Sequence, residues 1–226
     1  MCGRFTLYVD SKKLNTVFHL TNNIFDYVPR YNIAPGQQIA VITQYDGGRV
    51  FSYMRWGLIP PWAKDAKMGY RLINARSETV DNKPAFKVSF RHRRCLIPAD
   101  GFYEWKKNNA KQPVYISMPG KAVFAFAGIW TQWTPPQGST INSCSIITTA
   151  ANETIRSIHD RMPVLFDQEQ QFQAWLEQND PLELKKLLQP YAGPLAAYPV
   201  STAVNAAKHD SPQLIEKTVD ITGDIT

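Results

Sequence analysis

The stretch from Cys95 to Ala150 constrains the fold more than any other. It holds "CLIPADGFYEWKK", "QPVYISM", "AVFAFAGIWTQW" and "NSCSIITTA", runs rich in Val, Ile, Phe, Tyr and Trp with Gly, Pro and Asn breaks between them. Such runs favour pleated, half-buried strands. Upstream, "QQIAVITQ" and "RVFSYMRWG" flank "YDGG" and predict a hairpin. Helical patterns lie at the flanks. "DSKKLNTVFHL" puts Leu14, Val17 and Phe18 on one face behind a cap at Asp10 or Ser11. "NKPAFKVSFRHRR" predicts a short helix from Pro84, with Phe86 and Phe90 one turn apart. "ANETIRSIHDRMP" predicts one capped by Asn152, "FDQEQQFQAWLEQ" one capped by Asp167, and "PLELKKLLQP" one between prolines. Strands and helices do not alternate as βαβ units. The expected class is therefore α+β, with a largely antiparallel sheet and flanking helices. A curled or barrel-like core is expected alongside it, without being derived from the strand pattern. The 226 residues suit one domain over 1–226, with 211–226 as a peripheral tail.

Composition narrows the setting. Hydrophobic residues at 44% and charged residues at 19% argue for a packed core over disorder. Lys and Arg number 25 against 19 Asp and Glu, and this net charge of +6 suits a polyanionic partner without requiring one. Three Cys, widely spaced and without a CxxC pair, argue against a disulfide scaffold and against a metal site. Cys95 and Cys144 lie in apolar runs and read as small buried hydrophobes. No apolar run reaches bilayer length and no secretory signal opens the chain, so a reducing, cytoplasmic setting is expected.

One residue stands apart. A Cys directly after Met1 becomes, once Met1 is removed, a terminal residue with an α-amine and a thiol on adjacent carbons. The amine, with an ordinary pKa near ~8, is about one-tenth neutral at pH 7 and can attack an aldehyde. The thiol can then close on the imine carbon, giving a five-membered thiazolidine favoured by proximity. With Met1 retained, Cys2 is an ordinary residue at the start of a strand. Asn74 in "LINARSET", Glu104 in "DGFYEW" and His159 in "IHDRMP" each place a polar group in an apolar setting. A partly desolvated Glu104 suits acid–base work, His159 is a proton shuttle by type, and Asn74 can orient an amine. Each also has a structural alternative: Glu104 pairing with Lys106, Asn74 capping a turn, His159 donating to a carbonyl. Arg4, Arg76 and Arg161, the run Arg91–Arg94 and other scattered arginines offer planar forks for phosphate. In "RWGLIPPWAK", Trp62 on a proline-stiffened loop can stack on nucleobases or serve as core.

Taken together, "MCGRF", "RYNIAPGQ", "RWGLIPPW", "LINARSET", "RCLIPADGFYEW", "ITTAAN" and "IHDRMPV" occur in an order that closely resembles the SRAP (SOS-response-associated peptidase) family. The resemblance runs from Met1 to about Val204. It implies a monomeric, cytoplasmic, nucleoid-associated protein that needs no cofactor and shields abasic sites in single-stranded DNA, often near a junction with duplex. Shielding would be a covalent thiazolidine crosslink through Cys2, exposed by loss of Met1. By the same resemblance Asn74 positions the amine, Glu104 moves protons, and His159 assists opening of the sugar ring. Arg4, Arg76 and Arg161 hold phosphates, and Trp62 is an apolar wedge beside the lesion.

Two rival functions use the same residues. A thiol peptidase would take Cys2 as nucleophile, His159 as base and Glu104 or Asn74 as orienter. A non-covalent binder of single-stranded or modified DNA would keep the arginines and Trp62 but give Cys2, Glu104 and His159 no task.

Overall fold

The computed structural model describes residues 2–106, 112–120 and 123–218. Strands β1 (Arg4–Leu7), β2 (Arg30–Ile33), β3 (Gln38–Tyr45), β4 (Gly48–Trp56), β5 (Asn74–Arg76), β6 (Arg94–Ala99) and β7 (Gly101–Trp105) make up the first half. They are followed by β8 (Pro113–Ser117), β9 (Phe124–Trp133), β10 (Ile141–Ala150), β11 (Arg161–Pro163), β12 (Leu165–Phe166) and β13 (Ala196–Pro199). The helices are α1 (Ser11–Phe18), α2 (Lys87–His92), α3 (Glu153–Arg156), α4 (Glu169–Glu177) and α5 (Pro181–Lys186).

The larger sheet runs β11-β10-β4-β3-β6-β9-β12, and a further β10–β9 pairing closes β10, β4, β3, β6 and β9 into a ring. Closure removes the exposed edges of those strands. The pairings are antiparallel except where β10 meets β4 and β5, which run parallel to it. The expected hairpin is β3–β4, turned by Asp46 and Gly47 at φ 44° and 79°, the left-handed pair that suits a two-residue connection. The smaller sheet runs β13-β8-β7-β1-β2. It meets the ring through Phe5 of β1, whose ring packs edge-on against Trp56 at 5.2 Å and Phe126 at 5.5 Å. Cys2 joins the same buried cluster, so the start of the chain is drawn into the seam between the two sheets.

The far end of β1 is pinned by Asp100, in the β6–β7 turn. Its buried carboxylate accepts from the Thr6 hydroxyl and from the Tyr8 and Val9 amides. Burial pushes this carboxyl up to about 6, against the pull of those hydrogen bonds.

The helices follow the sequence pattern with small shifts. Asp10, Asn152 and Asp180 cap α1, α3 and α5 through their side chains. Helix α2 begins at Lys87, not Pro84, because residues 83–86 first form a turn that returns the Phe86 amide to the Lys83 carbonyl at 2.9 Å. Helix α4 is capped at Gln168, not Asp167. The Gln171 side chain reaches back to the Asp167 and Gln168 amides at 3.0 and 3.2 Å, while Asp167 accepts from the Tyr191 hydroxyl. The basic run near α2 is not a phosphate face throughout. Arg94 is buried and donates to carbonyls of Phe90, Arg91, Trp175, Leu176 and Gln178, tying β6 to α4. Of the expected tail, residues 219–226 lie outside the described residues. Within them, Leu214 is buried against Tyr103 and Tyr115, and Val200 bridges Lys217.

Candidate active site

Cys2 is fully buried, and two elements reach it. Asn74, the first residue of β5, donates from Nδ2 to the Cys2 carbonyl at 2.8 Å. Its Oδ1 is buried and meets no hydrogen-bond partner among the described residues. An acceptor left open in this way is suited to an N–H from an amine at Cys2. Trp56 fixes the neighbouring backbone, since its indole donates to the Ile73 carbonyl at 2.9 Å. Trp56 is thus core, as its complete burial requires.

Glu104 arrives by strand register. β1 and β7 are antiparallel with Arg4 opposite Tyr103, so the next residue of β7 runs alongside the start of the chain. The carboxyl is 2% exposed, and burial pushes it up to about 7. A carboxyl poised there exists in both protonation states at neutral pH. The Cys2 thiol is driven well above its ordinary range, first by burial and then by the Glu104 charge. It is therefore a neutral thiol, the reverse of the lowered thiolate that a cysteine peptidase uses. Met1, whose removal the reactive reading requires, lies outside the described residues.

Strand β10 organises the second part of the site. It pairs with β5 on one side, Thr148 opposite Arg76, and with β11 on the other, Ala150 opposite Arg161. His159 sits just before β11, where its Nδ1 accepts the Arg161 amide hydrogen at 3.0 Å. That bond leaves Nδ1 without a proton, so the neutral ring carries its hydrogen on Nε2 and is a donor there. The Arg161 fork reaches back to the Thr148 carbonyl at 2.6 Å and grips Glu78 with both terminal nitrogens, at 2.5 and 3.0 Å. Arg76 is exposed. Glu78 was not among the sequence candidates, although it follows Arg76 by two residues in "NARSET".

The remaining candidates separate. Arg4 is half-buried and donates to Asn32 Oδ1 and to the Val204 carbonyl, both at 2.7 Å. One terminal nitrogen of its fork, Nη1, makes both bonds and ties β1 to the 3₁₀ turn Thr202–Asn205. Trp62 is 57% exposed on the loop after β4. The loop is braced at both ends. Gly57 at φ 125° lies so close to the Gly69 carbonyl that a Cβ would come within 2.7 Å of its oxygen. The Trp133 indole donates to the Ala63 carbonyl at 2.8 Å. Trp62 is thus an aromatic tip on a rigid support. Among the described residues no group of three or more His, Cys, Asp or Glu is placed to hold a metal, and no helix is long and apolar enough to cross a membrane.

Comparison with known proteins agrees with this architecture. The profile described as SOS response associated peptidase (SRAP) matches residues 1–207. Over 223 residues the chain is 45% identical to "Abasic site processing protein YoqW" of Bacillus subtilis (strain 168), covering 96% of this chain and 99% of that protein. Over 220 residues it is 34% identical to "Abasic site processing protein HMCES" of Xenopus tropicalis, covering 83% of this chain and 65% of that one. A solved protein from Bacteroides thetaiotaomicron shares the fold with a TM-score of 0.86 at 22% identity, over 96% of this chain and 100% of that one. One from Bordetella bronchiseptica gives a TM-score of 0.77 at 26% identity, over 88% and 100%. With its ordered motifs, its closed-ring sheet and a match along nearly its whole length, this chain belongs to the SRAP family.

Proposed function

We propose that this protein captures abasic sites in single-stranded DNA as a covalent thiazolidine on Cys2, after loss of Met1. The relatives' names point to abasic sites, and a ring-opened abasic site presents an aldehyde. The α-amine of Cys2 attacks that carbon, and the carbinolamine hydroxyl leaves as water once protonated. The Cys2 sulfur then adds to the carbon of the resulting protonated imine as the thiol proton passes to the Glu104 carboxylate, and the nitrogen keeps one of its own hydrogens. The balance is aldehyde plus aminothiol giving thiazolidine plus one water. Glu104 serves both proton transfers, as acid toward the leaving hydroxyl and as base toward the thiol, and a carboxyl near 7 fits both roles. Asn74 orients the amine through its open Oδ1. His159 protonates the sugar ring oxygen from Nε2 as the ring opens. Arg76 and Arg161 hold phosphates, and Trp62 wedges beside the lesion at a junction of single strand and duplex.

The observation that carries the reading is the meeting of Asn74 and a buried Glu104, whose carboxyl burial pushes up, at Cys2. A peptidase would need the opposite environment for the thiol, a thiolate stabilised by neighbouring positive charge. The test is denaturing gel electrophoresis after mixing with matched abasic and intact oligonucleotides. A shifted band that survives denaturation with the abasic strand alone is expected. Binding that vanishes on denaturation, and ignores the lesion, would return the protein to a non-covalent binder.

A further inference from the structure

Arg161 already has an anion in its grip. Its two terminal nitrogens meet the two oxygens of Glu78 at 2.5 and 3.0 Å, the paired geometry that a guanidinium also offers to phosphate. The two partners are unequally held. The Arg161 side chain is 18% exposed and is fixed to β10 through the Thr148 carbonyl, whereas the Glu78 side chain is 51% exposed. Beneath Glu78 the backbone is clamped: Lys185 donates to the Ser77 carbonyl at 2.7 Å and pairs with Asp81 at 3.1 Å, and the Ser77 amide donates to Thr148 at 2.8 Å. Only the Glu78 side chain has to swing for the fork to be vacated. Arg161 holds the Glu78 carboxyl below its usual range, and the charge of Arg76 adds to that effect, so this one carboxylate faces both proposed phosphate grips.

We propose that Glu78 is a built-in stand-in for a DNA phosphate, occupying Arg161 in the free protein and suppressing binding to intact single strands. The inference rests on the proposed contact between Arg161 and DNA. With Glu78 present, a phosphate entering the fork displaces a carboxylate that then lies beside the strand, so the exchange adds no net positive charge to the site. Arg161 consequently contributes little to counterion release. Intact strands, which have no aldehyde to offer, must pay for the displacement with non-covalent contacts alone. An abasic strand is trapped by the bond to Cys2 once it arrives. Glu78 therefore sharpens the preference for damaged DNA.

The variant that tests this is Glu78→Gln, which keeps one acceptor for Arg161 and removes the charge. Binding to an intact oligonucleotide is measured by fluorescence anisotropy over a range of salt, with melting of the protein followed in parallel. Relative to wild type, affinity at low salt is expected to rise about three- to tenfold. The slope of log K against log salt is expected to steepen by about 0.7, the share of one phosphate contact on a single strand. In an Arg161→Gln background the same change should add markedly less to both quantities, leaving only the share that comes from the charge of Arg76. Unchanged or weaker binding of a normally melting Glu78→Gln protein overturns the proposal and makes Glu78 a brace for Arg161. Wild-type crosslinking to an abasic strand, run beside it, separates the cases. If wild type crosslinks, only the Glu78 inference has failed; if wild type neither binds nor crosslinks, the proposed function fails and this inference with it.

Discussion

Glu104→Gln removes one proton from the centre of the site while keeping its shape. The carboxyl is 2% exposed and lies near 7 where 4.5 is ordinary, a difference worth roughly 3 kcal/mol against ionisation inside the fold. The sign follows from the direction. Below about 4.5 the group is neutral in both folded and unfolded chains and costs nothing. Between about 4.5 and 7 the unfolded chain ionises first, so the fold loses stability as pH rises, and the loss is complete above about 7. Gln avoids this cost, although it donates where a carboxylate accepts. The variant is expected to melt higher than wild type at pH 8, by at most about 6–12 °C at roughly 2–4 °C per kcal/mol for a chain this size, and no higher near pH 4.5. Chemistry should move the other way. Single-turnover crosslinking to an abasic oligonucleotide, followed on denaturing gels across pH 5–9, should show a wild-type inflection near 7. That inflection should disappear in Glu104→Gln, with a rate at pH 7 about 10²-fold lower. A variant that crosslinks at the wild-type rate, or keeps the inflection, would remove Glu104 from the proton transfers. A variant that melts lower at pH 8 would mean that the ionised carboxylate stabilises the fold, contrary to its burial.

Three further outcomes are expected. Asn74→Ala loses both the bond to the Cys2 carbonyl and the open Oδ1, and should slow crosslinking by about 10-fold or more while leaving anisotropy-measured binding of intact strands unchanged. Trp62→Ala removes a 57% exposed ring from a braced loop, so it should weaken binding at a junction by roughly 1–3 kcal/mol without altering the melting temperature. Glu169→Gln breaks the paired contact with Arg49, whose side chain is 8% exposed while that of Glu169 is 45% exposed; urea denaturation should register a loss of roughly 1–2 kcal/mol, the solvent on the Glu169 side limiting it.

Local chemistry was readable from the chain, and long-range placement was not. The β3–β4 hairpin needed only Asp46-Gly47 between apolar runs, and the caps at Asp10 and Asn152 only the residues that follow them. The antiparallel character followed from consecutive strands without intervening helices. Closure of the ring depends on β10 pairing with both β9 and β4, contacts that no local pattern encodes. The same is true of the site. Residue type singled out Cys2, Asn74, Glu104 and His159, but only β5 and β7 explain how Asn74 and Glu104 come to meet Cys2. Arginine roles were least legible, because an Arg is defined by what its fork touches. Arg94 is a carbonyl clamp, Arg4 ties down a 3₁₀ turn, and Arg161 is occupied by a glutamate two residues past Arg76. The shift of the α4 cap from Asp167 to Gln168 has a local cause, the backward reach of Gln171, that a preference for acidic caps overlooks.

The most direct measurement is the intact mass of the purified protein, alone and after incubation with an abasic oligonucleotide. The account predicts a chain lacking one methionine, which then gains the oligonucleotide less one water. Fully crosslinking material that still carries Met1 would contradict it, because the Cys2 nitrogen would then be an amide and could not share the sugar carbon with sulfur.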